Sequence, residues 1–302
     1  MSLDFMKDDG VFLPMLNDDG RNQFYKAAIQ LAAPGKVVCD VGAGTGLLSI
    51  LAVKAGAKRV IAVEQDPVRT EYMRSIISRV GMLDKIEIVN DNFLNTDIAA
   101  DIYVSETVNT QIFGEDMIKL SNHAHKHGGV WIPSQFEIVA RVYEPHPIFL
   151  LDLSNSEAYE FSPNIDIDPV FEEIINADFR SQYSLDDTLY RANQLNMLFR
   201  MLPDFKDVTL NQLYETEPVI VDMNTVVDDE NIVVRVPHEH LHPWSNSMIV
   251  LFWKARYQNL VLDCNNIWFG NVAKIIPMEH RKYKTDVTFT YMPDIRNWQV
   301  RF

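Results

Sequence analysis

Val37-Val-Cys-Asp-Val-Gly-Ala-Gly-Thr-Gly46, followed by an apolar run from Leu47 to Ala55 and then by Arg59-Val-Ile-Ala-Val-Glu64, decides how this chain is read. Val37 to Val41 is a short apolar run that stops at glycine, the mark of a buried strand. Gly42, Gly44 and Gly46 supply a turn, Leu47 to Ala55 has helical spacing closed by Gly56, and Arg59 to Val63 is a second strand with Glu64 at its end. These pieces make one βαβ unit. Glycines are needed where the backbone turns tightly and a ligand lies against main-chain N–H groups at a helix N-terminus. An acid at the tip of the second strand, about 20 residues on, is placed to accept both hydroxyls of a ribose. The dinucleotide fingerprint would want a third glycine where Leu47 stands, and no Walker lysine follows. The leading Asp40 suits an ammonium instead, because a carboxylate beside a pyrophosphate is repelled. S-adenosylmethionine carries both a ribose and that ammonium. Asp40, Gly42, Gly44, Gly46 and Glu64 are therefore its candidate binding residues, against the plain alternative of a glycine turn in some other α/β protein.

Strand and helix keep alternating after Glu64. Pro67 to Val80 reads as a helix and Ile86 to Asn90 as a third strand, whose exit places Asp91 to meet an adenine amine. Ile102 to Ser105 is a fourth strand ending at Glu106, and a helix from Glu115 to Lys126 follows before Gly128-Gly129. Such alternation predicts a doubly wound α/β sheet with ligands at the carboxyl ends of its strands. Upstream, Met15-Leu-Asn-Asp-Asp-Gly-Arg21 leads into a helix over about Asn22 to Leu31. Arg21 is a candidate for the methionine carboxylate, since a guanidinium pairs with it bidentately, or it is a surface arginine at a helix start. From Phe136 the composition turns to strands: Phe136 to Val142, Val219 to Asp222, Ile232 to Val236, Met248 to Ala255, Val287 to Tyr291 and Trp298 to Phe302. That is a second, all-β part.

Glu106 and Glu115 are nine apart, at a strand end and a helix start, so only a hairpin-like loop brings them together. Two carboxylates over a methyl donor suit an acceptor that is itself a cation, and a guanidinium offers a flat fork of donors that matches them. The bland reading makes Glu115 an acid favoured by the helix dipole and Glu106 a strand-end acid. The net charge of −15 argues against a non-specific nucleic-acid binder, which needs a basic stripe, and it suits a basic or neutral substrate or serves only solubility. Two cysteines, Cys39 and Cys264, read as reduced thiols of a cytoplasmic protein. No basic-then-apolar leader or bilayer-length apolar run is seen, so no membrane is expected. His123, His125 and His127, and again His238, His240 and His242, alternate in a way that spreads them over faces, and no metal is expected of either set.

Asp40-Val-Gly-Ala-Gly-Thr-Gly-Leu-Leu-Ser, Lys54-Ala-Gly-Ala-Lys-Arg-Val-Ile-Ala-Val-Glu64, Ser105-Glu106 and Glu115 resemble the protein arginine methyltransferases, whose double-glutamate loop has this spacing. Met15 to Arg21 resembles the family's segment that folds over the cofactor. The resemblance implies that Arg21 holds the methionine carboxylate, Glu64 the ribose and Asp91 the adenine, with Met15 near the methyl group and Glu106 and Glu115 catalytic. It implies N-terminal cofactor-covering helices over 1–35, a seven-stranded-type Rossmann-like domain over 36–133, and a β-barrel-like domain over 134–302. Within the last, a helical arm at about 150–205 would grip a second subunit, making a homodimer. Gly129-Val-Trp-Ile-Pro133 resembles the crossover into that barrel. Two departures stand out. Thr107-Val108-Asn109-Thr110 replaces the family's Trp-Met-Gly-Tyr, and Asn266-Ile267-Trp268 stands for Thr-His-Trp, with the tryptophan kept. Trp268 would stack on a guanidinium or fill the barrel core. The expected reaction is methyl transfer to a guanidino nitrogen of a protein or peptide arginine, or of a free guanidino compound. A small-molecule N- or O-methyltransferase with a neutral acceptor and a non-catalytic cofactor-binding dimerisation module are the alternatives.

Overall fold

The computed structural model describes residues 15–109, 111–144, 169–171, 173–174, 211–228, 232–243, 247–264, 273–276 and 284–301. The chain enters through α1 (Asp19–Ala32), whose first turn is closed by Asp18: its carboxylate accepts the Arg21 N–H at 3.2 Å. This cap starts the helix three residues before the sequence reading placed it. Arg21 thereby moves from a lead-in to the buried face, alongside Phe24, Tyr25, Ala28 and Ile29 at helical spacing.

The elements β1 (Val37–Val41), α2 (Leu47–Lys54), β2 (Arg59–Glu64), α3 (Pro67–Arg79), β3 (Ile86–Asn90), β4 (Ile102–Ser105), α4 (Met117–His125) and β5 (Val130–Ile132) follow. Their five strands pair in parallel in the order β3-β2-β1-β4-β5. Order reverses between β1 and β4, the switch point where open α/β sheets bind ligands. Register fixes what lies there. Val41 pairs with Val63 on one side and Ser105 on the other, so Gly42, Glu64 and Glu106 emerge along one sheet edge. Glu64 pairs with Asn90, which brings Asp91 to the same edge. The strands are apolar along their length because both sheet faces are covered: Val38, Cys39, Val60, Ala62, Tyr103 and Val104 are all buried.

After a cis Ile132–Pro133 bond the chain becomes antiparallel. The long strands β6 (Gln135–Tyr143) and β10 (Ser247–Tyr257) pair over nine positions, and β7 (Gln212–Glu215), β8 (Val219–Asp222), β11 (Leu260–Asp263) and β12 (Ala273–Ile276) complete a six-stranded sheet around them. A second sheet joins β9 (Val233–Val236), β13 (Val287–Met292) and β14 (Asn297–Arg301) in the order β14-β13-β9. β6 alternates buried and half-buried residues, the period-two pattern of a strand with one core face. The fold is thus mixed α/β with an antiparallel second half. The helical arm expected at 150–205 falls almost wholly outside the described residues, and Trp268 lies outside them too. Cys39 and Cys264 are both buried and form no disulfide with each other. No described helix is long and apolar enough to cross a membrane.

Candidate functional site

One cavity of about 280 Å³ opens at the switch point. Met15, Arg21, Asp40, Gly42, Gly44, Glu64, Asp91, Glu106 and Glu115 all line it. Gly46 does not. It sits at φ +82° where α2 begins, and a Cβ there would stand 3.0 Å from Met73 Cγ and 3.2 Å from Ile77 Cδ1. Its glycine serves the close approach of the turn to α3.

Asp40 is 1% exposed. Its Oδ2 accepts from Ser49 Oγ at 2.6 Å, while the buried Oδ1 has no hydrogen-bond partner. Burial pushes the Asp40 carboxyl up to about 7, against the pull of the Ser49 hydrogen bonds and with a further push from Glu64. An orphaned acid oxygen facing a cavity is the acceptor an ammonium group needs. Glu64 is held differently. Oε2 accepts the Gly44 N–H at 3.0 Å and Oε1 the Asp66 N–H at 2.9 Å, so both oxygens are fixed and each keeps a lone pair for a hydroxyl. Asp91 is exposed at the rim, its Oδ1 accepting from Asn92 N at 2.7 Å and Asn95 Nδ2 at 3.1 Å.

Arg21 closes the cavity from α1. It is 3% exposed, so it is no surface arginine, and its Nη1 lies 2.9 Å from Glu106 Oε1. Asp18 stands further off, 3.8 Å from Nη2. Glu106 is 14% exposed, and burial lifts its carboxyl to about 8. Arg21 opposes that lift, while the charge of Glu115 adds to it. The two glutamates are therefore electrostatically coupled across their loop. That loop does turn back on itself: Asn109 and Ile112 form an antiparallel bridge, and the Asn109 side chain accepts the Gln111 N–H at 2.9 Å. Asp116 takes φ +63°, which starts α4 at Met117 and leaves Glu115 in the loop and exposed.

Three lining groups were not singled out from the sequence. Tyr25 sits one helical turn after Arg21 and donates its hydroxyl to the Ser105 carbonyl at 2.8 Å, tying α1 to the residue before Glu106. Its i,i+4 spacing from Arg21 was the available signal. Thr107 packs its methyl group against Gly42, where a Cβ would stand 3.1 Å from it. Arg296 reaches the rim from the β13–β14 turn and pairs with Asp116 at 2.5 Å, a contact no local pattern announces. The histidines go elsewhere. His123 meets the Thr96 carbonyl, His240 stacks on Tyr214 and His242 meets Glu144. His238, Glu239 and Asp286 do cluster, but Asp286 is already engaged by Arg235 and the His238 N–H.

A parallel sheet in this order, with a glycine turn after β1 and acids at the ends of β2 and β4, is a doubly wound arrangement that places a ligand at the switch point. Residues 26–136 match the family model described as ribosomal protein L11 methyltransferase (PrmA). An arginine N(omega)-methyltransferase of Streptomyces achromogenes subsp. streptozoticus is 32% identical over 149 residues, 46% of this chain and 41% of that protein. Protein arginine N-methyltransferase 7 of Danio rerio is 34% identical over 152 residues, 44% of this chain and 22% of that protein. The chain thus spans well under two thirds of the curated relatives it matches. A crystal structure of PRMT6-SAH superposes with a TM-score of 0.60 at 17% identity, covering 96% of this chain and 98% of that one. Over nearly half its length the chain is similar in sequence to arginine N-methyltransferases, and over almost all of it its fold is similar to that of the PRMT6-SAH structure.

Proposed function

We propose that this chain transfers a methyl group from S-adenosylmethionine to a guanidino nitrogen of arginine. The observation that carries the reading is the placement of Glu106 and Glu115, at the two ends of one loop, on the cavity where Arg21, Asp40 and Glu64 also converge. The residues fit the cofactor. Asp40 Oδ1 would take the amino group, Arg21 the carboxylate, Glu64 the ribose hydroxyls and Asp91 the adenine amine, with Gly42 and Gly44 letting the backbone approach and Met15 near the methyl group. When bound, S-adenosylmethionine supplies an electrophilic sulfonium methyl.

Glu106 and Glu115 would orient the guanidinium so that one nitrogen faces that methyl, and would offset the repulsion between two cations. Transfer would join the methyl carbon to that nitrogen as its bond to sulfur breaks, with S-adenosylhomocysteine leaving and the surplus proton of the alkylated guanidinium passing to solvent. The pair between Arg21 and Glu106 gives this a structural meaning: the residue read as the cofactor clamp and the residue read as the acceptor clamp touch each other at 2.9 Å.

The acceptor is a protein or peptide arginine or a free guanidino compound. The two curated relatives carry names of both kinds, one for arginine and one for protein arginine. Division into a covering segment (1–35), a Rossmann-like domain (36–133) and a β-barrel-like domain (134–302), a homodimer built on the 150–205 arm, stacking by Trp268 and a cytoplasmic setting complete the reading. Two buried cysteines not joined in a disulfide support the last. Transfer of labelled methyl to an arginine-rich peptide tests the reaction. Wild-type protein should label the guanidine, and Glu115→Gln should lose transfer while keeping the cofactor. Transfer to a non-guanidine acceptor that survives Glu115→Gln would favour the neutral-acceptor alternative instead.

A further inference from the structure

The loop between the two glutamates is strained and is held from outside its own domain half. Ile112 is fully buried at φ +67°, a conformation that a β-branched side chain adopts only when its surroundings impose it. Asp116, at φ +63°, is the second such residue within the same short segment. Local hydrogen bonds bend the loop: Ile112 N–H to the Asn109 carbonyl at 2.8 Å and Phe113 N–H to the Gln111 carbonyl at 2.8 Å. These bonds set a turn. They do not say where the turn points.

The β13–β14 hairpin does. The Tyr291 hydroxyl donates to the Phe113 carbonyl at 2.7 Å, and Trp298 Nε1 donates to the Gln111 carbonyl at 3.0 Å. These donors come from positions 178 and 187 residues away in sequence, on the paired strands where Tyr291 faces Trp298. Both rings are buried, at 2% and 4% exposure. The Phe113 ring completes the seat, edge-on to Tyr291 at 5.6 Å and to Phe136 at 5.1 Å. At the rim, Arg296 and Lys119 both reach Asp116, but these are exposed pairs of the kind that contribute little. The buried donors are what fix the loop.

We infer that Tyr291 and Trp298 are positioning residues for the paired glutamates: two hydrogen-bond donors of the C-terminal hairpin that hold segment 111–116 so that Glu115 stays on the cavity Glu106 also lines. The effect on turnover rests on the methyl-transfer reading above; the effect on the loop does not. Each residue acts through the backbone, touching neither cofactor nor acceptor.

Tyr291→Phe and Trp298→Phe remove one donor each and keep a buried ring. The full chain should be compared with both variants by amide hydrogen exchange, by affinity for S-adenosylhomocysteine and by kcat and KM for an arginine peptide. Exchange in 111–116 should rise in each variant while the parallel sheet keeps its protection, and S-adenosylhomocysteine affinity should change by less than about threefold. The specificity constant for the peptide should fall on the order of tenfold, the double variant falling further. Unchanged exchange in 111–116 would overturn the inference. So would loss of protection throughout the chain together with loss of S-adenosylhomocysteine affinity, which marks a merely structural role for both rings. Should wild-type protein label no guanidine at all, the methyl-transfer reading fails, and the exchange result still decides the clamp.

Discussion

Asp40→Asn separates what the site costs from what it does. The carboxyl is pushed from 3.8 to about 7 by burial, so ionising it in the folded, unliganded protein opposes folding. A shift of about 3 pH units corresponds to about 4 kcal/mol. The sign follows from proton binding. Between the unfolded and folded pKa the native state holds the extra proton, so stability contributed by the protonated acid is full below about pH 4 and is lost as pH rises through about 7. Asparagine keeps a partner for Ser49 and removes the charge. The variant should therefore be more stable than wild type at about pH 8, by up to about 4 kcal/mol, and indistinguishable from it near pH 4. Binding should move the other way. Loss of a charge-assisted hydrogen bond to an ammonium is worth about 1.5–3 kcal/mol, or roughly 10- to 150-fold in affinity for S-adenosylmethionine. Wild-type affinity should also climb between about pH 6 and pH 7 as Asp40 ionises, and the variant's should stay flat. Denaturant titrations at two pH values and calorimetric titration of the cofactor read all of this. A variant with wild-type stability at pH 8 and undiminished affinity would refute the reasoning.

Three further outcomes follow from the same geometry. Glu106→Gln should lower the specificity constant for an arginine acceptor by about 10²- to 10³-fold, because an amide cannot ionise to meet the acceptor's cation, while calorimetry shows cofactor affinity largely kept. Arg21→Met should weaken S-adenosylmethionine binding by about 10- to 100-fold; unchanged affinity would mean that Arg21 serves Glu106 alone. Gly46→Ala should lower stability by at least about 1–2 kcal/mol, because it forces a left-handed alanine against Met73 and Ile77; a denaturation midpoint at the wild-type value would contradict the packing role.

The switch-point edge of the parallel sheet was legible in the sequence because it is local. A five-residue apolar run ending in glycine has few alternatives to a buried strand, and parallel register then sets Gly42, Glu64, Asp91 and Glu106 side by side. Strands β6 and β10 were legible for the same reason, being long and apolar on at least one face. Two short strands were not: β7 has no fully buried residue, and β5 is three residues long. The start of α1 turned on one cap, Asp18, which competes with Asn17 and Asp19 as a helix start and is chosen only by the Arg21 N–H it meets. Contacts made across the chain left no local trace. Nothing near Phe113 signals that Tyr291 will donate to its carbonyl, and nothing near Asp116 signals Arg296.

The most direct measurement offers wild-type protein labelled S-adenosylmethionine with an arginine-rich peptide and free arginine side by side, the products being read by mass. Label on a guanidino nitrogen of either acceptor is the predicted result, and which acceptor carries it assigns the substrate class. Label on neither, with S-adenosylmethionine still bound tightly, would contradict the assignment of Glu106 and Glu115 to a methyl acceptor.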